Sequence, residues 1–152
     1  GIWINGEHDR PIMIINNTIA GNTSAGGICG IYGSGTALFK NNIVWGNISP
    51  TNLQVSVSLN MSYSVVQGGY QGTGIIDINP FEGSSFVPFI NSVCIDSGDP
   101  DMIFDDKSTP EGNSAIFPSL GSLRNDIGAF GGPFSDKITA NLIMNPGLLN
   151  KK

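Results

Sequence analysis

The residues best equipped for chemistry are acidic. Asp96, Asp99, Asp101, Asp105 and Asp106 fall within eleven residues, and Asp126 follows in a second short motif. Carboxylate oxygens on a loop broken by Gly and Pro suit Ca²⁺, which gathers roughly six to eight oxygen ligands. The order Asp99-Pro100-Asp101 is not closed by the Glu that completes an EF-hand loop, so the spacing is not diagnostic. The plainer use of these side chains is to cap turns through bonds to nearby backbone N–H groups, with Asp96 or Asp126 pairing with Arg124. That plainer use is favoured.

A second set is Glu7-His8-Asp9-Arg10. A His flanked by carboxylates and a guanidinium could move a proton. All four sit in one turn, however, and a solvated turn is the favoured reading. A third set is aromatic: Trp45, Tyr63 and Tyr70, with Tyr32, could stack against the apolar faces of sugar rings. Against this, Trp45 could simply pack under a loop, as single exposed aromatics are ordinary. Asn16, Asn22, Asn47 and Asn60 each open an N-x-Ser/Thr sequon, which arises by chance in a chain this rich in Asn and Ser and matters only in a glycosylating host.

The elements that must position these groups are written in a repeat. Asn16-Asn17-Thr18-Ile19-Ala20-Gly21-Asn22 returns 25 residues later as Asn41-Asn42-Ile43-Val44-Trp45-Gly46-Asn47. A worn copy, Tyr63-Ser64-Val65-Val66-Gln67-Gly68-Gly69, follows after another 22. A period in the twenties marks a solenoid of stacked coils. Aligned on the Asn pair, Ile12, Ala37 and Leu59 share a column. Ile14, Phe39 and Met61 share another, and Ile19, Val44 and Val66 a third; all are apolar. The alternate column Ile15, Lys40 and Ser62 is mixed, as an outward face should be. In the other half of each coil, Cys29, Ile31 and Gly33 are matched with Ile2, Ile4 and Gly6, and Leu53, Val55, Val57 and Leu59 continue the alternation. Stacked Asn residues, Asn16 over Asn41 or Asn17 over Asn42, can form amide ladders. Gly21, Gly46 and Gly68 mark the next corner.

Composition agrees. Charged residues make up 12% of the 152 residues, against 21 Gly, which fits a turn-rich β protein. The net charge of -5, with no basic cluster, argues against nucleic acid as a partner. No apolar run reaches the roughly 18 residues of a membrane helix. The chain opens Gly-Ile-Trp-Ile inside an expected strand, so upstream coils are expected to be missing and the lack of a signal peptide is uninformative. Cys29 and Cys94 either pair or remain buried thiols, the second being favoured.

The expected organisation is all-β, with parallel coils over residues 1–74. A terminal coil and cap carrying the Asp-rich loop span 75–133, and a tail or the start of a further segment spans 134–152. An open solenoid end exposes core and strand edges, hence the expected cap.

Three segments also resemble a known group. Ile14-x-Asn-Asn-Thr-Ile-x-Gly-Asn22 is similar to the repeat of the pectate-lyase-like superfamily. Cys94-Ile-Asp-Ser-Gly-Asp-Pro100 and Arg124-Asn-Asp-Ile-Gly-Ala-Phe-Gly-Gly-Pro133 resemble the C-terminal end of secreted bacterial right-handed parallel β-helix proteins, with Val93 where Pro is usual. The resemblance covers residues 10–133. It implies a right-handed β-helix at an extracellular or cell-surface location. It implies no single activity. The expected role is a non-catalytic end of such a protein, touching polysaccharide or glycan. The alternatives are part of a polysaccharide lyase or glycoside hydrolase with its active coils upstream, and a calcium-dependent adhesion module.

Overall fold

The computed structural model describes residues 1–4, 12–33, 36–56 and 58–138. The Glu7–Arg10 turn, Gly6, Val57 and the segment after residue 138 lie outside the described residues.

The described chain is built from short strands in three parallel sheets. β1 (Ile2–Ile4), β4 (Ile28–Gly33) and β7 (Leu53–Val55) form the first sheet. The second contains β2 (Met13–Ile15), β5 (Leu38–Lys40) and β8 (Asn60–Ser62), and the third β3 (Thr18–Ala20), β6 (Ile43–Trp45) and β9 (Val65–Val66). Each pass of the chain therefore lays one strand in each sheet, directly on the strand from the pass before.

The register follows the apolar columns in two of the sheets. Ile14 pairs with Phe39 and Phe39 with Met61; Ile19 pairs with Val44 and Val44 with Val66. These side chains meet in the space the three sheets enclose, where Phe39 and Val44 are fully buried. Ile4, Ile31, Val55, Leu59 and Met61 complete that interior cluster. In the first sheet the expected pairing is corrected by two residues. Ile2 lies beside Ile31 and Ile4 beside Gly33, not beside Cys29 and Ile31. A slip of two keeps every side chain on its original face, so the apolar pattern cannot choose between the registers. Gly33 does choose: a Cβ there would lie 2.1 Å from the Ile4 carbonyl oxygen, so no other residue fits.

The two Asn residues of each repeat have separate tasks. The first turns the corner. Asn16, Asn41 and Tyr63 have φ of 55°, 54° and 46°, the left-handed region that Asn tolerates and Tyr rarely visits. The second forms the ladder. Asn42 Oδ1 accepts from the Asn17 backbone N–H at 2.9 Å and from its Nδ2 at 3.3 Å. Asn22 makes the same pair of bonds to Asn47 Oδ1. Ser64 ends one ladder by accepting from the Asn42 N–H at 3.1 Å, and Gln54 ends the other through Oε1. Asn42 and Asn47 are buried, so these bonds satisfy donors that would otherwise be costly to enclose.

In the expected terminal coil, strand pairing is reduced to one parallel bridge, Val65 to Ile76. Tyr70 and Ile75 pack against the interior cluster from that side. Beyond it the chain does not stay at the end of the stack. Phe81, Cys94 and Ile127 pack with Ile43 and Val65 in a second buried cluster. Ile43 and Val65 sit on the opposite face of the third sheet from Val44 and Val66, because successive strand residues alternate. The closing segment thus runs back along the outside of the third sheet and reaches the first pass. There Ala129 N–H donates to Thr18 Oγ1 at 3.1 Å, and Asn16 Nδ2 donates to Asn125 Oδ1 and to the Asp126 and Gly128 carbonyls. Gly128, with φ of 101°, lies where a Cβ would come within 2.5 Å of Ile43 Cδ1. The Gly of the Asp126-Ile-Gly-Ala motif is therefore a close crossing point.

Candidate functional site

The six acidic residues are brought into one segment, but they do not converge on a common point. Asp96, itself at φ 53°, accepts from the Ser122 N–H and hydroxyl at 2.9 and 2.7 Å. Asp126 accepts from the Asp96 and Leu120 N–H groups, both at 2.8 Å. Asp106 accepts from the Asp126 and Gly132 N–H groups. Asp99 Oδ1 accepts from the Asp101 N–H, and Asp101 caps the 3-10 turn Met102–Phe104 by accepting from the Ile103 N–H. Asp105 closes that turn from the other end. Among the described residues, no group of three His, Cys, Asp or Glu side chains could hold a metal ion. Five of the six carboxylates accept from loop N–H groups, as turn-capping side chains do, whereas Asp105 takes part through its own N–H, which donates to the Met102 carbonyl.

The expected pairing of Arg124 with Asp96 or Asp126 is replaced. The guanidinium donates through Nε and Nη2 to the Gly98 carbonyl. Asp99 meets Lys40 instead, Nζ to Oδ2 at 2.5 Å, which ties the loop to the second sheet. Lys40 Nζ also lies 5.0 Å from the centre of the Phe104 ring.

Two of the acids titrate near neutrality. Burial, opposed by the Gly132 N–H bond and reinforced by the charge of Asp126, raises the Asp106 pKa to about 7. Burial also raises Asp126 to about 6, against the Leu120 and Asp96 N–H bonds and with the charge of Asp96. Such values suit acid–base chemistry, and Asp126 borders an apolar cavity of about 160 Å³ shared with Val87, Cys94 and Phe117. Among the described residues, the lining supplies no activated nucleophile. Cys94 is unpaired, and burial pushes its thiol up to about 12, far from the thiolate that reactivity requires. Cys29 is likewise buried and free.

The aromatic residues expected to meet sugar are dispersed. Trp45 is half-buried and packs against the cluster outside the third sheet. Tyr63 occupies a left-handed corner with its ring over Gly74, whose Cβ would lie 2.5 Å away. The Tyr70 hydroxyl accepts from the Leu59 N–H at 2.9 Å and donates to the Ser56 carbonyl at 3.1 Å, which fixes a turn. A different pair is open. Trp3 and Tyr32 are register partners on β1 and β4, and they are 70% and 54% exposed. Both point away from the interior because their strand neighbours Ile4 and Ile31 point into it.

Two adjoining grooves flank this pair. One, of about 380 Å³, runs past Trp3, Tyr32, Asn22, Thr23 and Ser24. The other continues past Tyr32 and Ser24 to Gly27, Thr51 and Leu53. Tyr32 was legible as an exposed aromatic, whereas Trp3 was not singled out. The signal that finds it is the alternation in Ile2-Trp3-Ile4, which places an indole on the outside between two inward-facing Ile residues.

Comparison with family models, curated proteins and solved structures finds no match for this chain. No helix of the described residues is long and apolar enough to cross a membrane.

Proposed function

We propose that the chain is a stretch of right-handed parallel β-helix from an extracellular or cell-surface protein. It is non-catalytic itself and contacts carbohydrate through the outer face of its first sheet. The observation that carries the reading is the exposed, in-register pair Trp3 and Tyr32. Equivalent positions of successive parallel strands lie about 4.8 Å apart, so the two side chains form a short aromatic platform. Aromatic faces suit the apolar C–H faces of sugar rings, and Asn22, Thr23 and Ser24 beside them offer donors and acceptors for hydroxyl groups. The three parallel sheets, filled one strand per pass, support the β-helix.

Affinity electrophoresis through gels cast with soluble polysaccharides tests the reading. Retardation by at least one polymer is expected, with release in Trp3→Ala and in Tyr32→Ala. Both side chains are largely exposed, so both variants should remain folded. Mobility unchanged across the whole panel overturns the reading.

A further inference from the structure

Resting on the carbohydrate reading, we infer that the polymer bound at the Trp3–Tyr32 face is a neutral one, engaged over more than one sugar unit, and that uronate polymers are excluded.

The first ground is the lining. Trp3, Tyr32, Asn22, Thr23, Ser24 and Thr51 meet the grooves with aromatic, amide and hydroxyl groups, and the rest of the lining among the described residues is Gly, Cys and aliphatic side chains, with no charged side chain among them. A carboxylate in each sugar would have to leave water without a partner here, and an unpaired buried charge is expensive. Arg and Lys forks are the usual answer to such a group.

The second ground is the fate of the cations. Four basic side chains lie in the described residues, and each is engaged elsewhere. Lys40 pairs with Asp99 and Lys107 with Asp136. Arg124 is bonded to the Gly98 carbonyl, and Lys137 sits 4.6 Å from the centre of the Phe134 ring. The chain as a whole carries a net charge of -5, which repels a polyanion at long range.

The third ground is shape. The two grooves share Ser24, Ile28 and Tyr32, so Tyr32 stands where one meets the other. The combined trough passes β1, β4 and β7; it follows the stacking direction from Trp3 to Tyr32 and then turns along β4 toward Ile28, whose register partner is Leu53. A sugar chain lying in it meets Trp3 at one end, Tyr32 in the middle and Leu53 at the other.

The test is gel retardation and calorimetry of the full chain with two probe sets. The neutral probes are xylan, glucomannan and mixed-linkage β-glucan with their oligosaccharides; the acidic probes are polygalacturonate and alginate, with and without Ca²⁺. Binding to a neutral polymer is expected, insensitive to salt, at least tenfold tighter for a tetrasaccharide than for its monosaccharide and weakened at least tenfold by Trp3→Ala. Uronate binding lost in the same variant overturns the neutral class while leaving the carbohydrate reading standing. Equal affinity for mono- and tetrasaccharide overturns the extended trough. Absence of binding to every probe overturns the carbohydrate reading itself. Neutral binding untouched by both Trp3→Ala and Tyr32→Ala overturns the assignment to this face.

Discussion

The space enclosed by the three sheets and the seam outside the third sheet are both apolar, yet they are held together differently. The enclosed cluster is made by repetition. Ile14, Phe39 and Met61, or Ile19, Val44 and Val66, touch because each strand stands on its equivalent. The seam has no repeat. Ile43 and Val65 come from strands, while Phe81, Cys94 and Ile127 come from irregular backbone. That backbone is fixed by Asp96, Asp106 and Asp126 through their bonds to N–H groups. Repetition pairs the strand backbone in register and confines its polar side chains to the Asn ladders at the corners, whereas an irregular segment must have its N–H groups satisfied one by one. The seam therefore carries the buried carboxyls and the enclosed cluster has none.

The difference is sharpest under truncation. Phe39→Ala empties a fully buried site in the middle pass and should cost about 3–5 kcal/mol, with protection from hydrogen exchange lost in all three sheets together. Ile127→Ala, also at a fully buried site, should cost about 2–5 kcal/mol. Its loss of protection should be concentrated in residues 94–133, while β2, β5 and β8 stay protected. Identical exchange patterns in the two variants would abolish the distinction between the regions.

A smaller effect is expected from the ladder. Asn42→Ala strands the Asn17 N–H, which Asn42 Oδ1 now accepts at 2.9 Å, and removes the second donor to the Ile14 carbonyl. Leaving such groups unpaired costs about 1–3 kcal/mol, read as a lower urea midpoint with an unchanged slope. Asn17→Ala, at the exposed end of the ladder, should cost less. The reverse ranking would show that burial does not set the value of these amides.

The smallest effect is one of pH, and it arises in the seam. Asp106 and Asp126 hold their protons more tightly in the folded chain, at about 7 and about 6, than in the unfolded chain, where an Asp titrates near about 4. The stability they contribute is complete below about pH 4 and is lost as pH rises through about 6 and then about 7. Urea midpoints should therefore fall across that window, and Asp106→Asn should flatten the fall. A profile that rises with pH, or one that Asp106→Asn leaves unchanged, would place the controlling groups outside the seam.

The enclosed cluster was legible in the sequence because alternation and a repeat of about two dozen residues both point to it. The first-sheet register was not, since a two-residue slip preserves the alternation and only the crowding at Gly33 settles it. The seam was half legible. Ile43-Val44-Trp45 is an unbroken apolar run, the mark of a strand covered on both faces, but nothing local says that Ile127 supplies the cover. The acidic cluster was visible as composition. Its arrangement was not, because a carboxylate that accepts from loop N–H groups reads in sequence like one that waits for a cation. The open aromatic face was readable at Tyr32 and missed at Trp3, where an indole between two Ile residues looks like core until its strand phase is counted.

Asn16 bonds to Asn125, Asp126 and Gly128, which follow it by 109, 110 and 112 residues. A contact of that span forms only after most of the chain has been made and most of its closure entropy has been lost. The stacked strands can assemble from neighbours about two dozen residues apart as they emerge, but the first corner must wait, its amide served by water. Assembly should therefore run from stack to latch, and unlatching should come first when the molecule is taken apart.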